Sequence, residues 1–184
     1  MRVYNVHYRR VHASPEAVGR LLDGLASAHD RVWPRDRWPA MRLDRPLGVG
    51  AAGGHGPVRY TVDRYVPGLF VRFRFTAPRG FVGTHRFEVE ELPASAGGGA
   101  CMWHILHIDA VGRARLTWPF FYGPLHDALV EDALDRAALA LGEAPPAAAA
   151  RPGPMVRLLR VPVVVGRRLA ARRRARRALR AIPT

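Results

Sequence analysis

Between Val58 and Val111 the chain alternates apolar and polar residues in short runs, and each run stops at a turn too short to hold a helix. Val58, Tyr60 and Val62 alternate with Arg59, Thr61 and Asp63. After Pro67-Gly68, Leu69, Val71, Phe73 and Phe75 alternate with Phe70, Arg72, Arg74 and Thr76. After Pro78-Arg79-Gly80 comes a run in which Phe87 and Val89 alternate with Arg86, Glu88 and Glu90. A Gly-rich loop at 93–99 then leads into Cys101–Val111. A period of two puts successive side chains on opposite faces, and parallel neighbours would need long crossovers. The pattern therefore predicts an antiparallel meander with Tyr60, Val62, Val71, Phe73, Phe75, Phe87 and Val89 on one buried face. The same alternation sets Arg72 and Arg74 beside Glu88 and Glu90 on the other. Residues 101–111 are apolar in both phases, with Met102, Leu106 and Ile108 on one face and Trp103 and Ile105 on the other. That predicts a central strand covered on both sides.

The flanks differ in period. Residues 2–12 predict a first strand. Ser14-Pro15 supplies an N-cap and a first helical residue, and Val18, Leu21, Leu22 and Leu25 extend a helix to about Ala28. Trp33-Pro34 and Trp38-Pro39 allow only a short helix in 30–42, and 46–56 is a Gly/Ala loop. From Gly123-Pro124, Leu125, Leu129, Ala133, Ala137 and Leu141 form the apolar stripe of a long helix ending at Gly142, with Asp127, Glu131 and Asp135 on its solvated face. Residues 143–154 have linker composition.

Charge separates two regions. Residues 1–143 hold 18 Arg and all 15 acidic residues, whereas 144–184 hold 11 Arg and no acid. The body is nearly neutral and the tail is a polycation, so the high net charge of +14 says little about the body. In the tail an apolar stripe (Ala171, Ala175, Ala178, Leu179, Ile182) runs beside Arg167, Arg168, Arg172, Arg173, Arg176 and Arg177. These six arginines are candidates for binding an anionic membrane surface; nucleic acid is a weaker alternative, and a solvated extension is the plainer one.

Several chemistries are disfavoured. All cations are Arg, so there is no Lys for a Schiff base or a phosphate-binding loop. The single cysteine, Cys101, permits no disulfide within the chain, and a Cys-based zinc site is not expected. Gly48-Val49-Gly50-Ala51-Ala52-Gly53 matches a dinucleotide-binding string, but Gly54, Gly56 and Pro57 block the helix that must follow it. It predicts a surface loop, with or without a role at a pocket mouth. His104 and His107 lie three apart on a strand and face opposite sides, so they cannot share an ion; no metal and no cofactor is expected. No serine sits in a nucleophile elbow. The N-terminus lacks a signal-peptide core and no segment spans a bilayer, so the expected compartment is the cytoplasm, with the inner membrane face as an option through the tail.

The order strand, helix, short helix, antiparallel strands, long helix is similar to that of the START/Bet v 1-like (SRPBCC) superfamily, which includes polyketide cyclase/dehydrase-like proteins. The resemblance is carried by Ser14-Pro15-Glu16-Ala17-Val18, Tyr65-Val66-Pro67-Gly68, Gly83-Thr84-His85-Arg86-Phe87 and the closing helix, and covers 2–142. It implies an α+β helix-grip fold in 1–142, with a curved antiparallel sheet of six or seven strands wrapped around the C-terminal helix and a cavity between them. A linker over 143–154 and an Arg-rich, partly helical tail over 155–184 fall outside it. Because the fold hosts many functions, three readings stand: a module binding a hydrophobic or aromatic small molecule, a cyclase/dehydratase-type enzyme with a His acid–base group, or a peripheral membrane protein. Candidate ligand-binding residues are Tyr60, Phe73, Phe75, Phe87, Trp103, His107, Trp118, Phe121 and Leu129. No catalytic residue is singled out, and the oligomeric state is left open. Aromatics are also what a plainly packed core needs, so cavity and core both remain open at this point.

Overall fold

A computed structural model describes residues 1–144, 153, 154 and 156–158. The elements run β1 (Arg2–Val11), α1 (Pro15–Asp23), β2 (Arg42–Leu43), β3 (Ala52–His55), β4 (Val58–Val66), β5 (Phe70–Ala77), β6 (Phe81–Glu91), β7 (Ala100–Ala110), α2 (Ala114–Thr117), a π-helical turn (Trp118–Tyr122) and α3 (Gly123–Ala140). The strands form one seven-stranded sheet in the order β1-β7-β6-β5-β4-β3-β2, with every neighbouring pair antiparallel. The meander expected from the alternation is present, and β1 closes onto β7. Among the described residues no helix is long and apolar enough to cross a membrane.

The main core lies between the inner sheet face and the helices: Tyr60, Val62, Val71, Phe73, Phe87, Val89 and Met102 meet Val18, Leu22, Leu129, Ala133, Leu134 and Ala137. Val156, also buried, belongs to this cluster. A smaller cluster at one end joins Phe81, Leu106, Ile108, Ala114 and Trp118. The sheet bends where its ladders break. β4 shifts register between Val62 and Arg64, an extra residue that turns Tyr65 inward. On β6, Gly83 sits at φ +151, and a Cβ there would lie 2.2 Å from the His107 carbonyl oxygen. Only glycine admits that approach.

Several expectations are corrected by tertiary context. α1 stops at Asp23 instead of Ala28, because Gly24 caps it and the Asp23 carboxylate is held elsewhere. It accepts the Tyr65 hydroxyl and the Gly68 N–H, both at 2.8 Å. The Gly/Ala loop contains β3, which pairs with β2 and β4. Arg72 and Arg74 do not meet Glu88 and Glu90: the β5–β6 register puts Arg72 opposite Arg86, and Arg72 and Arg74 each bind Asp63 at 2.8 Å. β7 is central, but among the described residues none covers its outer face. There Trp103 leans on Tyr8, their ring centroids 4.9 Å apart, and His107 is exposed.

The linker expected over 143–154 and the tail over 155–184 fall mostly outside the described residues. So do Arg167, Arg168, Arg172, Arg173, Arg176 and Arg177.

Candidate functional site

Where the inner sheet face diverges from α3, side chains leave a cavity of about 220 Å³. β5 and β6 contribute Phe75, Phe81, His85 and Phe87; β7 contributes His104 and Leu106. Across the gap, α3 contributes Leu125, His126, Leu129, Val130 and Ala133. The exposed residues on its wall, Gly56, Pro57 and Phe121, mark where it reaches the surface.

Two features hold this wall in place. The first is the π-helical turn before α3. Pro119 has no N–H to offer the helical ladder, and Gly123 N–H donates to the Trp118 carbonyl five residues back. The widened turn carries Trp118, Phe121 and Tyr122 on the cavity wall. Gly123 is packed against it, since a Cβ there would meet Trp118 O at 3.0 Å. The second is the loop that carries Trp33 and Trp38. Buried Asp30 accepts the N–H groups of Ala26, Val32 and Trp33 at 2.9, 2.9 and 2.8 Å. Trp33 Nε1 donates to Pro39 O at 2.9 Å, and Trp38 Nε1 donates to Asp132 on α3 at 2.7 Å.

The wall is mostly apolar, but four of its residues are histidines: His55, His85, His104 and His126. His85 Nδ1 lies 3.2 Å from His104 Nε2, and the His85 ring is stacked on Phe73 and Phe75. The outer nitrogens, His85 Nε2 and His104 Nδ1, are buried without a hydrogen-bond partner among the described residues, as is His126 Nε2. Burial, helped by the neighbouring imidazoles, holds His85 and His104 well below the usual histidine range. Burial likewise pushes His55 down to about 3 and lowers His126, though Asp127 pulls His126 the other way. At neutral pH these imidazoles are uncharged. A neutral pair sharing one hydrogen bond presents one donor and one acceptor, and the two roles exchange when the tautomers switch.

A polar seam borders the cavity on the β1 side. The inward polar residues of β1 are Asn5, His7 and Arg9, and they meet the acidic stripe of α3. Asn5 Nδ2 donates to Asp127 at 3.0 Å, His7 Nδ1 lies 2.6 Å from Glu131, and Arg9 donates to Glu131 at 2.8 Å and Asp135 at 2.6 Å. Asp127, Glu131 and Asp135 therefore do not form a merely solvated helix face. Burial opposes a charge on His7, but Asp127 and Glu131 outweigh it and raise its pKa. Among the described residues, one group could hold a metal ion: His7, His126 and Asp127 bring one donor atom each to within 4.8 Å of one another.

Of the residues singled out from the sequence, Phe75, Phe87, Trp118, Phe121 and Leu129 are on the cavity wall. Tyr60 and Phe73 are buried behind it, packed edge-on to each other and around His85. Trp103 and His107 do not reach the cavity. They occupy the odd phase of β7, which faces outward, where Trp103 Nε1 donates to Glu90 at 2.8 Å. Of the two β7 histidines, His104 is the inward one. His85 and His126 were missed although both had a signal: His85 is in phase with Phe87 and Val89, and His126 is three and four residues before Leu129 and Val130. Trp33 and Trp38 had none, since irregular backbone positions them, and His55 ends the short strand β3, which the Gly/Ala composition of 46–56 hides.

No protein-family model and no curated protein matches the sequence. Solved structures do match in shape. Truncated norcoclaurine synthase from Thalictrum flavum aligns with a TM-score of 0.57 at 14% identity, covering 78% of this chain and 96% of that one. The KanY protein aligns at 0.56 and 13% identity, over 77% and 99% of the two chains. XoxI from Bacillus cereus aligns at 0.52 and 14% identity, over 75% and 94%. The same norcoclaurine synthase in complex with dopamine and hydroxybenzaldehyde gives 0.55 at 15% identity, over 78% and 89%. The antiparallel order of the sheet, the helix laid across its concave face and these alignments agree: the chain has the Bet v 1-like helix-grip fold.

Proposed function

We propose that the protein binds one small aromatic or otherwise hydrophobic molecule carrying a polar group, held between the inner sheet face and α3. The observation that carries this reading is an apolar-walled cavity of about 220 Å³ whose polar members are neutral imidazoles with unpaired nitrogens. A cavity of ~150 Å³ is enough to hold benzene, so the space suits one substituted ring better than a long acyl chain. Burying ~200 Å² of apolar ligand surface contributes about 5 kcal/mol. The loss of rigid-body freedom on binding is of similar size. Affinity and selectivity therefore depend on the polar contact, for which His85, His104 and His126 are the candidates. The fold offers a precedent in the norcoclaurine synthase that holds dopamine and hydroxybenzaldehyde. Native mass spectrometry of freshly purified protein tests the reading. A retained aromatic molecule, lost when Leu129→Trp narrows the cavity of a still-folded protein, is the expected result. A folded protein that retains nothing and gives no thermal shift with a panel of substituted aromatics would reject it.

A second reading, an enzyme of the cyclase or dehydratase kind, is favoured by the His85–His104 pair. Both imidazoles stay neutral, so the pair can relay a proton, one ring nitrogen releasing it as another accepts one, without carrying a lasting charge. If the retained molecule is converted by the wild type but only bound by His104→Gln, catalysis is the better description; identical fates in both would exclude it.

For the Arg-rich tail we keep the proposal drawn from its sequence, adsorption to an anionic membrane surface. Full-length protein should float with anionic vesicles and not with neutral ones, and changing the six arginines to Gln should abolish flotation. Equal behaviour of both proteins would remove the tail's role.

A further inference from the structure

We propose that His7, His126 and Asp127 form a zinc site at the seam between β1 and α3. His7 Nε2 and His126 Nδ1 each lie 3.3 Å from the same oxygen, Asp127 Oδ1. Zinc binds imidazole nitrogen and carboxylate oxygen at about 2.0–2.2 Å in tetrahedral geometry, which puts neighbouring donor atoms ~3.3–3.5 Å apart. Two of the three donor-to-donor edges already have that length. The third, between the two imidazoles, is no longer than 4.8 Å. It closes with a movement of at most ~1.5 Å, within reach of a ring rotation.

The surroundings are those a metal ligand needs. A ligating histidine commonly gives its other ring nitrogen to a carboxylate, which fixes the tautomer and raises ligand basicity. His7 does this: its Nδ1 lies 2.6 Å from Glu131 Oε1, leaving Nε2 for the ion. Glu131 is in turn held by Arg9, which also binds Asp135. Asn5 Nδ2, 3.0 Å from Asp127 Oδ1, orients the carboxylate. The donors sit on a strand and a helix, not on loops, so the constellation is largely preorganised. The two histidine side chains are 14% and 15% exposed and Asp127 is 49% exposed, so an ion has a path in from solvent. Two imidazoles and one carboxylate suit zinc; magnesium and calcium prefer all-oxygen sets. Three protein donors leave a fourth position for water or another small ligand. His126 also lines the cavity, so the site adjoins it, but the inference does not depend on what the cavity binds.

The test is isothermal titration of chelator-stripped, full-length protein with zinc chloride alone at pH 7.5. One zinc per chain at micromolar affinity or tighter is expected, weakened at least 100-fold by His7→Gln or Asp127→Asn. Glu131→Gln, which removes the carboxylate charge that His7 and Arg9 share but no proposed zinc ligand, should weaken binding ~10–100-fold. His107→Gln, on the outer sheet face, should leave it unchanged. Zinc-edge X-ray absorption of the wild type, which needs no variant to fold, should show two imidazoles in a first shell of nitrogen and oxygen. Absence of stoichiometric binding would overturn the proposal and leave the three groups as a hydrogen-bonded cluster. So would unchanged affinity in folded His7→Gln, or a first shell without two imidazoles.

Discussion

Lowering the pH from 7.5 to 5.5 should remove about 3 kcal/mol of folding stability, and the reason lies in two buried rings. His85 and His104 are 5% and 2% exposed and stay uncharged in the folded protein, with burial the leading cause. In the unfolded chain they titrate near 6.5. Below that value the unfolded state binds protons that the folded state refuses, so stability falls as the pH falls. For one such group the loss at pH 5.5 is about 1.4 kcal/mol, hence ~3 kcal/mol for two. His55, lowered to about 3 but only half-buried, adds less than a full share. His126, also lowered, acts in the same direction; His7, raised, acts in the opposite one and offsets part of the loss. Carboxylates in the unfolded chain titrate near 4 and contribute little above pH 5.5; Asp135, raised by burial, acts in the same direction as His7 and offsets part of the loss. Against a typical total of about 5–15 kcal/mol the effect is large. The assay is urea unfolding followed by tryptophan fluorescence at pH 7.5, 6.5 and 5.5, with chelator present. His104→Gln should remove about 1.4 kcal/mol of the pH-dependent loss, whatever it does to stability at pH 7.5. A change below ~1 kcal/mol across the window, or the same pH dependence in folded His104→Gln, would refute the reasoning.

Two further outcomes follow from the packing. Asp30→Ala should cost roughly 3 kcal/mol or more in urea unfolding, because it strands the N–H groups of Ala26, Val32 and Trp33, the last two of them buried. A loss under ~1 kcal/mol would mean that water replaces the carboxylate. Gly19→Ala, despite the higher helix propensity of alanine, should destabilise by about 1–3 kcal/mol, since its Cβ would lie 2.3 Å from the Gly68 carbonyl oxygen. A raised melting temperature in that variant would show that α1 can shift away from the Pro67-Gly68 turn.

The meander, the closing helix and most of the aromatic supply were legible in the order of residues, because periods of two and 3.6 are local properties of the backbone. Alternation put Tyr60, Phe73 and Phe87 on one face, and the i, i+4 stripe put Leu129 and Ala133 toward the core. Which of these aromatics face space and which face each other depends on how the elements pack. Phe75 and Phe87 reach the cavity while Phe73, on the same sheet face, is covered by the His85 ring. A strand apolar in both phases does not reveal which face is covered, so the inward role fell to His104 and not to Trp103 or His107. The acidic stripe of α3 looked solvated because its partners, Asn5, His7 and Arg9, lie at the opposite end of the sequence and arrive only when β1 pairs with β7. Periodicity carries information along one element; cavities, buried imidazole pairs and donor clusters arise where several elements meet, and that meeting is set by the register and curvature of the whole sheet.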